Sequence, residues 1–219
     1  NQLPVWLFFT ISVMRSHLVI TVSHYTRKAV LDYYKIPDAK VCTVLNGPSF
    51  DPSIYIEPRT IAAQPTILAV GRIESRKNIP LLVKAFQASK VDAVLIIVGS
   101  FDLGFEYDLP DDPTIIHYTN VADAKLIELY RSASLFVYPS AAEGFGLPLL
   151  DALLFGVPTI SSNKTAMEEI GQGAAELFDP TQPDALYWLA ARIRSHFLNQ
   201  PVPCPSVAQR RELAARYNW

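Results

Sequence analysis

Six short runs of aliphatic and β-branched residues recur along the chain, and they constrain its fold more than any other feature. They are Leu18–Val22, Thr66–Val70, Ala93–Val98, Thr114–His117, Leu135–Tyr138 and Val157–Ile160. Each is too short for a helix and apolar at successive positions, the pattern of a strand in a parallel sheet covered on both sides. Segments of helical character lie between them. His24–Lys35 carries caps and charges suited to a helix, and Pro80–Lys90 opens with proline at a helix-start position. Asp123–Ser132 opens with an Asp cap and sets Leu126, Ile127 and Tyr130 on one face. Leu147–Phe155 stops before Gly156. Strands alternating with helices predict an α/β fold built on a Rossmann-like, doubly wound parallel sheet.

The alternation is interrupted once. Residues 48–64 follow Asn46-Gly47, hold three prolines and show little periodicity, as a connection between domains does. Residues 1–47 before it make one strand–helix–strand piece, too small to bury a core alone, and are expected to be the tail of a preceding lobe. Residues 65–182 form the main α/β domain, and residues 183–219 read as helices separated by the turn Pro201-Val202-Pro203-Cys204-Pro205. The apolar stretch Leu3–Met14 is too short to span a bilayer and lacks the flanks of a signal peptide, so a buried helix is expected. The alternative is a helix lying at a membrane surface.

Bulk properties exclude several classes. Half of the residues are hydrophobic and 18% are charged, which argues against disorder. A formal net charge of −2 without a basic stripe argues against nucleic acid as a partner. Cys42 and Cys204 stand far apart with no metal-ligand pattern and read as reduced thiols of a cytoplasmic protein. The histidines His17, His24, His117 and His196 are scattered, so no metal site is expected, and His117 reads as a satisfied core residue.

Two turns that follow expected strands carry chemistry. Gly71-Arg72-Ile73-Glu74-Ser75-Arg76-Lys77-Asn78 follows Thr66–Val70. Ligands of open α/β sheets bind outside the carboxyl ends of strands, where a glycine allows close approach and Arg72, Arg76 and Lys77 bring charge for phosphate oxygens. Read alone, the turn fits a solvated basic loop before a helix better than a diphosphate site. The second turn, Pro139-Ser140-Ala141-Ala142-Glu143-Gly144-Phe145-Gly146-Leu147-Pro148, brings open backbone N–H groups and a helix N-terminus to the end of Leu135–Tyr138. Such a place favours an anion or sugar hydroxyls, with Glu143 to accept from the latter. Glu143 lies on the loop and Asp151 on the helix, so they are not a paired acid and base. Rival motifs are missing: no G-x-G-x-x-G follows a strand, Gly99 to Gly104 lacks the lysine of a phosphate-binding loop, and no G-x-S-x-G elbow occurs.

Gly71-Arg72 with Lys77-Asn78, followed by Glu143-Gly144-Phe145-Gly146-Leu147 with Asp151, resembles family 4 of the retaining glycosyltransferases, also called glycosyl transferases group 1. The resemblance extends to Val22-Ser23, Lys35-Ile36-Pro37, Asn46-Gly47, Glu169-Ile170, Gly171, Ala174-Ala175, Asp179-Pro180 and Tyr217-Asn218-Trp219. It implies a GT-B fold, two Rossmann-like lobes facing a cleft, of which this chain holds the tail of the N-terminal acceptor lobe and most of the C-terminal lobe that binds a nucleotide sugar. By that resemblance Arg72 and Lys77 bind the donor diphosphate and stabilise the leaving nucleotide. Glu143, with the backbone of Gly144, Phe145 and Gly146 and the adjoining Leu147, holds the sugar and the phosphate end beside Gly71. Asp151 binds the ribose, Asn120 and Val121 contact the base, and Leu126 packs nearby. Two departures stand out: the family usually has Glu where Asp151 stands, and often Gly where Asn120 stands.

The resemblance also implies retention at the anomeric carbon without a metal ion, in keeping with the lack of an Asp-x-Asp triplet. The first turn looks most like those of mannosyltransferases that use GDP-mannose, with a UDP-sugar as the alternative. The implied acceptor is a growing polysaccharide such as lipopolysaccharide, or a lipid-linked oligosaccharide, held by the other lobe at the inner face of a membrane. Alone, the chain is expected to bind nucleotide sugar weakly and transfer nothing. Two other readings stay open: a related GT-B enzyme such as a sugar-nucleotide epimerase or a phosphorylase, and a sugar-nucleotide-binding lobe that serves as a scaffold.

Overall fold

The computed structural model describes residues 5–218, so Trp219 and the start of Leu3–Met14 lie outside the described residues. The first part holds helix α1 (Val5–Arg15), strand β1 (Val19–Thr21), helix α2 (His24–Tyr34) and strand β2 (Val41–Thr43). Strands β1 and β2 pair in parallel, Val19 opposite Val41. Ser23 caps α2, its hydroxyl accepting from the Thr26 N–H, which is why the helix begins where it does.

The second part opens with β3 (Thr66–Val70), α3 (Ile79–Ser89), β4 (Val94–Val98) and β5 (Ile115–Tyr118). It continues through α4 (Asp123–Ser132), β6 (Leu135–Tyr138), α5 (Leu147–Leu154), β7 (Thr159–Ser162), α6 (Ala166–Gly171) and β8 (Glu176–Phe178). Helices α7 (Ala185–Leu198) and α8 (Val207–Arg216) close the described chain on either side of the proline-rich turn. The six strands form one parallel sheet in the order β5-β4-β3-β6-β7-β8. The sequence winds outward from β3 in one direction and from β6 in the other, so the order reverses between these two strands.

Strand alternation sorts the core into two layers. Ile67 and Ala69 of β3, Leu95 and Ile97 of β4, and Leu135 and Val137 of β6 pack with residues of α3 and α7. Leu68, Phe136 and Tyr138 point the other way, into a cluster with Leu149, Leu153 and Phe155. The apolar runs have no polar face because both faces of the sheet are covered.

Three expectations are corrected. Helix α1 forms but is not buried: Val5, Trp6, Phe8 and Phe9 remain 57–70% exposed. Length identifies an apolar helix but not its cover, and α1 packs against α2 with only part of its surface. Helix α4 starts after Ala122 without a side-chain cap, so Asp123 sits in its first turn, where its charge still suits the helix dipole. His117 is half-buried rather than in the core, its Nε2 2.6 Å from the Gly99 carbonyl. Strand β8 gave no apolar run because it lies at the sheet edge and only Phe178 of its residues is buried.

Leu135 is inaccessible at the centre of this sheet. Leu135→Ala should lower stability by about 2–5 kcal/mol, read from the shift of a urea unfolding curve, because the packed strands on both sides cannot close the cavity.

Candidate functional site

The turns after β3 and β6 meet outside the carboxyl ends of these neighbouring strands, where the strand order reverses. Open α/β sheets leave a crevice at that point. A backbone hydrogen bond from the Ala141 N–H to the Arg76 carbonyl, 2.7 Å, ties one turn to the other.

Lys77 lies in a 3-10 turn, Ser75–Lys77, and its ammonium points inward, leaving the residue only 8% exposed. Nζ stands 2.5 Å from Glu143 Oε1 and donates to the Tyr138 hydroxyl at 2.6 Å. That hydroxyl in turn donates to Glu143 Oε1 at 2.9 Å. Arg76 reaches Glu143 Oε2 at 2.5 Å and Glu74 at 2.7 Å. Gly71 makes room for this arrangement: its φ is +140°, and a Cβ there would come within 3.2 Å of Lys77 Cε and Nζ.

The charges of this group depend on one another. Burial disfavours the ammonium of Lys77 and lowers its pKa, with Glu143 opposing only in part. Burial also works against the Glu143 carboxylate, but Lys77, Arg76 and the Tyr138 hydroxyl outweigh it and hold its pKa below the usual range. Burial, then the facing Glu143, drives the Tyr138 phenol far upward, so it stays protonated and able to donate.

The remaining expected residues are placed as follows. Arg72 turns away from Glu143 and pairs with Asp102, 3.1 Å away. Gly146, at φ +112°, leads into α5 without a side-chain cap, so the first N–H groups of that helix are not capped by its side chain. Phe145 is buried edge-on against the Tyr217 ring, so only its backbone faces the turn. Leu147 begins α5 and is partly buried. The Gly144 carbonyl accepts from the hydroxyls of Ser23 (2.6 Å) and Thr26 (3.0 Å), which join the first part of the chain to the site. Asn120 adopts φ +51°, a left-handed conformation that Asn tolerates better than most residues, and so fills a position where the resemblance expects Gly. Val121 and Leu126 pack partly against the core beside it, at the same edge of the sheet.

Asp151 does not join this group. Only 2% exposed, its Oδ1 accepts from the Ser49 N–H at 3.0 Å and the Tyr55 hydroxyl at 2.7 Å. Both partners belong to the segment between the two parts of the chain. The Tyr55 ring also packs at a tilt against Phe155, centroids 4.6 Å apart, and Arg131 holds the Ile54 carbonyl and Glu57. Burial raises the Asp151 pKa, against the hydrogen bonds from Ser49 and Tyr55.

Two residues of the site were not singled out from sequence. Tyr138 closes a fully buried strand, where a hydroxyl is invisible to hydrophobic pattern. Glu169, quoted only for the resemblance, accepts from the N–H groups of His24 (3.4 Å) and Tyr25 (3.1 Å) at the start of α2. Among the described residues no three His, Cys, Asp or Glu side chains stand together as a metal site, and no helix is long and apolar enough to cross a membrane.

Comparison with known proteins places the chain in a family. Residues 56–203 match the family described as glycosyl transferases group 1, and the chain belongs to that family. The chain is 31% identical over 198 residues to O-antigen chain mannosyltransferase B of Escherichia coli, covering 80% of this chain and 51% of that protein. It is 29% identical over 188 residues to O-antigen chain mannosyltransferase RfbU of Salmonella typhimurium, covering 82% and 51%. The chain thus spans about half the length of the curated relatives it matches. Its fold is that of the GT-B glycosyltransferases. Sucrose-phosphate synthase from Thermosynechococcus elongatus superimposes with a TM-score of 0.77 at 22% identity, over 97% of this chain and 57% of that one. Anabaena HepE, solved with UDP and glucose, gives 0.80 at 18% identity, over 97% and 62%.

Removing the Tyr55 hydroxyl leaves the buried Asp151 carboxylate one donor short. Tyr55→Phe is therefore expected to destabilise the chain by about 1–3 kcal/mol in chemical denaturation, although it deletes a single oxygen.

Proposed function

We propose that the chain is the donor-binding part of a retaining glycosyltransferase that moves a hexose, mannose in preference, from a nucleotide-diphosphate sugar to a glycan or lipid-linked acceptor. In this reading residues 1–47 end the acceptor lobe, 48–64 connect the lobes, 65–182 bind the donor, and 183–219 are C-terminal helices. The observation that carries it is the meeting of Arg76 and Lys77 with Glu143 on the two turns where the strand order reverses, with Arg72 on the first of those turns and α5 following the second. Charge builds on the leaving diphosphate as its bond to the sugar breaks, and preorganised cations lower that barrier. Arg72 and Lys77 take this role and no metal ion is required. Glu143 accepts from sugar hydroxyls, and the backbone from Gly144 to Leu147 offers N–H groups to the phosphate end. Asn120 and Val121 meet the base through their backbone. Asp151 is left out of ribose binding, because its carboxylate is committed to Ser49 and Tyr55.

The likeness to O-antigen mannosyltransferases favours GDP-mannose. The UDP held by HepE makes a UDP-sugar the competing donor.

Calorimetric titration with GDP, UDP and ADP, in the presence of a chelator, tests the reading. One nucleoside diphosphate should bind in preference. Arg72→Ala and Lys77→Ala should each weaken it about tenfold or more, as loss of a charge-assisted hydrogen bond does, and change nucleoside binding far less. Equal losses for diphosphate and nucleoside would remove both residues from the phosphate site. Product NMR on the full-length protein decides retention. With Asp151→Asn, the ratio of affinities for a ribonucleotide and its 2′-deoxy counterpart should stay as in the unchanged chain.

A further inference from the structure

Each cation of the site is met by a carboxylate of the chain itself. Lys77 and Arg76 share Glu143, and Arg76 also holds Glu74. Arg72 is held separately, by Asp102.

The position of Asp102 is built into the backbone. The two turns after β3 and β4 continue the pairing of those strands: the Gly71 N–H donates to the Val98 carbonyl (2.9 Å), Ile73 to Ser100 (2.8 Å) and Asp102 to Ile73 (2.9 Å). Ile73 and Phe101 form a parallel bridge. The approach is close enough that a Cβ on Gly99 would fall 2.1 Å from the Gly71 carbonyl oxygen, so only glycine fits there. Asp102 is thus fixed opposite Arg72 before any ligand arrives, and the pair loses less entropy on forming than two mobile surface side chains would. The pair also remains open to exchange, with 60% of the Arg72 side chain and 40% of that of Asp102 exposed to solvent.

We propose that Asp102 is an internal competitor for Arg72: its carboxylate holds the guanidinium at the rim of the site, and a diphosphate must displace it to bind. The proposal rests on the reading of this crevice as a diphosphate site. A diphosphate offers more charge and a bidentate match to the guanidinium, so it wins the exchange. Only molecules in which Arg72 has left Asp102 are ready to bind, however, and the apparent affinity falls by that fraction. Asp102 therefore tunes how tightly a nucleoside diphosphate is held without touching it, which favours release of the spent nucleotide.

Calorimetric titration of the chain with inorganic pyrophosphate, GDP and UDP tests this in four variants: Asp102→Asn, Arg72→Ala, the double variant, and Asp111→Asn, which removes an equal charge further along the same loop. Asp102→Asn should tighten binding about two- to fivefold, the range expected for one exposed ion pair. The gain should vanish in the Arg72→Ala background and be absent in Asp111→Asn. Damage to the fold weakens binding, so it cannot imitate this gain. Unchanged or weaker binding in Asp102→Asn overturns the proposal, as does an equal gain without Arg72 or in Asp111→Asn. If the unchanged chain binds none of the three probes, the diphosphate reading itself falls; binding that ignores Asp102 refutes the competitor alone.

Discussion

An ammonium taken out of water has to be met by an anion, and the placement of Lys77 imposes that requirement on everything around the site. Desolvation costs several kcal/mol per ion, and only close geometry with further hydrogen bonds returns it. Here Glu143 supplies the anion, Tyr138 supplies a hydroxyl that accepts from Lys77 and donates to Glu143, and Arg76 takes the second carboxylate oxygen. Lys77 and Arg76 stand on the turn after β3, and Tyr138 and Glu143 at the end of β6 and on the turn beyond it, so the group exists only if β3 and β6 are neighbours. A buried pair of this kind is a poor way to gain stability, since apolar residues of similar volume would serve as well or better. Its presence at the point where the strand order reverses is better explained by use than by folding.

The same end of the sheet gathers the rest of the chain. Ser23 and Thr26 bond to the Gly144 carbonyl, and Glu169 caps the first turn of α2, so the start of that helix is held at the turn that carries Glu143. The connecting segment is held separately, by Asp151, Arg131 and the ring of Phe155.

Much of this was legible in the sequence, and the limits have physical causes. Strands β3 and β6 were found to the residue, because a strand buried on both faces has no polar position to blur its ends. The turns after them were read as the chemical sites because glycine and charge at a strand's carboxyl end say so. Pattern could not tell that α1 is exposed, since apolar character records the wish for a partner and not its presence. Nor could it give side-chain direction. Arg72 and Lys77 stand in one turn, yet one points to the rim and the other inward, a choice made by Gly71 and by the carboxylates each one meets. Asp151 is the sharper case. Resemblance implies a ribose role for it, and no local pattern could show that Tyr55, distant in sequence, donates to its carboxylate.

That the site neutralises itself also accounts for a feature of the whole chain. A protein that binds a doubly or triply charged ligand need not show a basic surface, because Glu74, Asp102 and Glu143 cancel the local cations while the ligand is absent. The formal charge of −2 is therefore compatible with an anion site. Such a site trades affinity for selectivity. An anion with a single weak charge cannot displace carboxylates already held at hydrogen-bonding distance, whereas a diphosphate can engage several cations at once. The carboxylate that holds a cation in the empty state also awaits its return, so each step that loosens the ligand is met by an internal partner. On the proposed reading, in which a nucleotide leaves after every turnover, that balance serves better than the tightest possible grip, since binding the ground state strongly adds nothing to the chemical step.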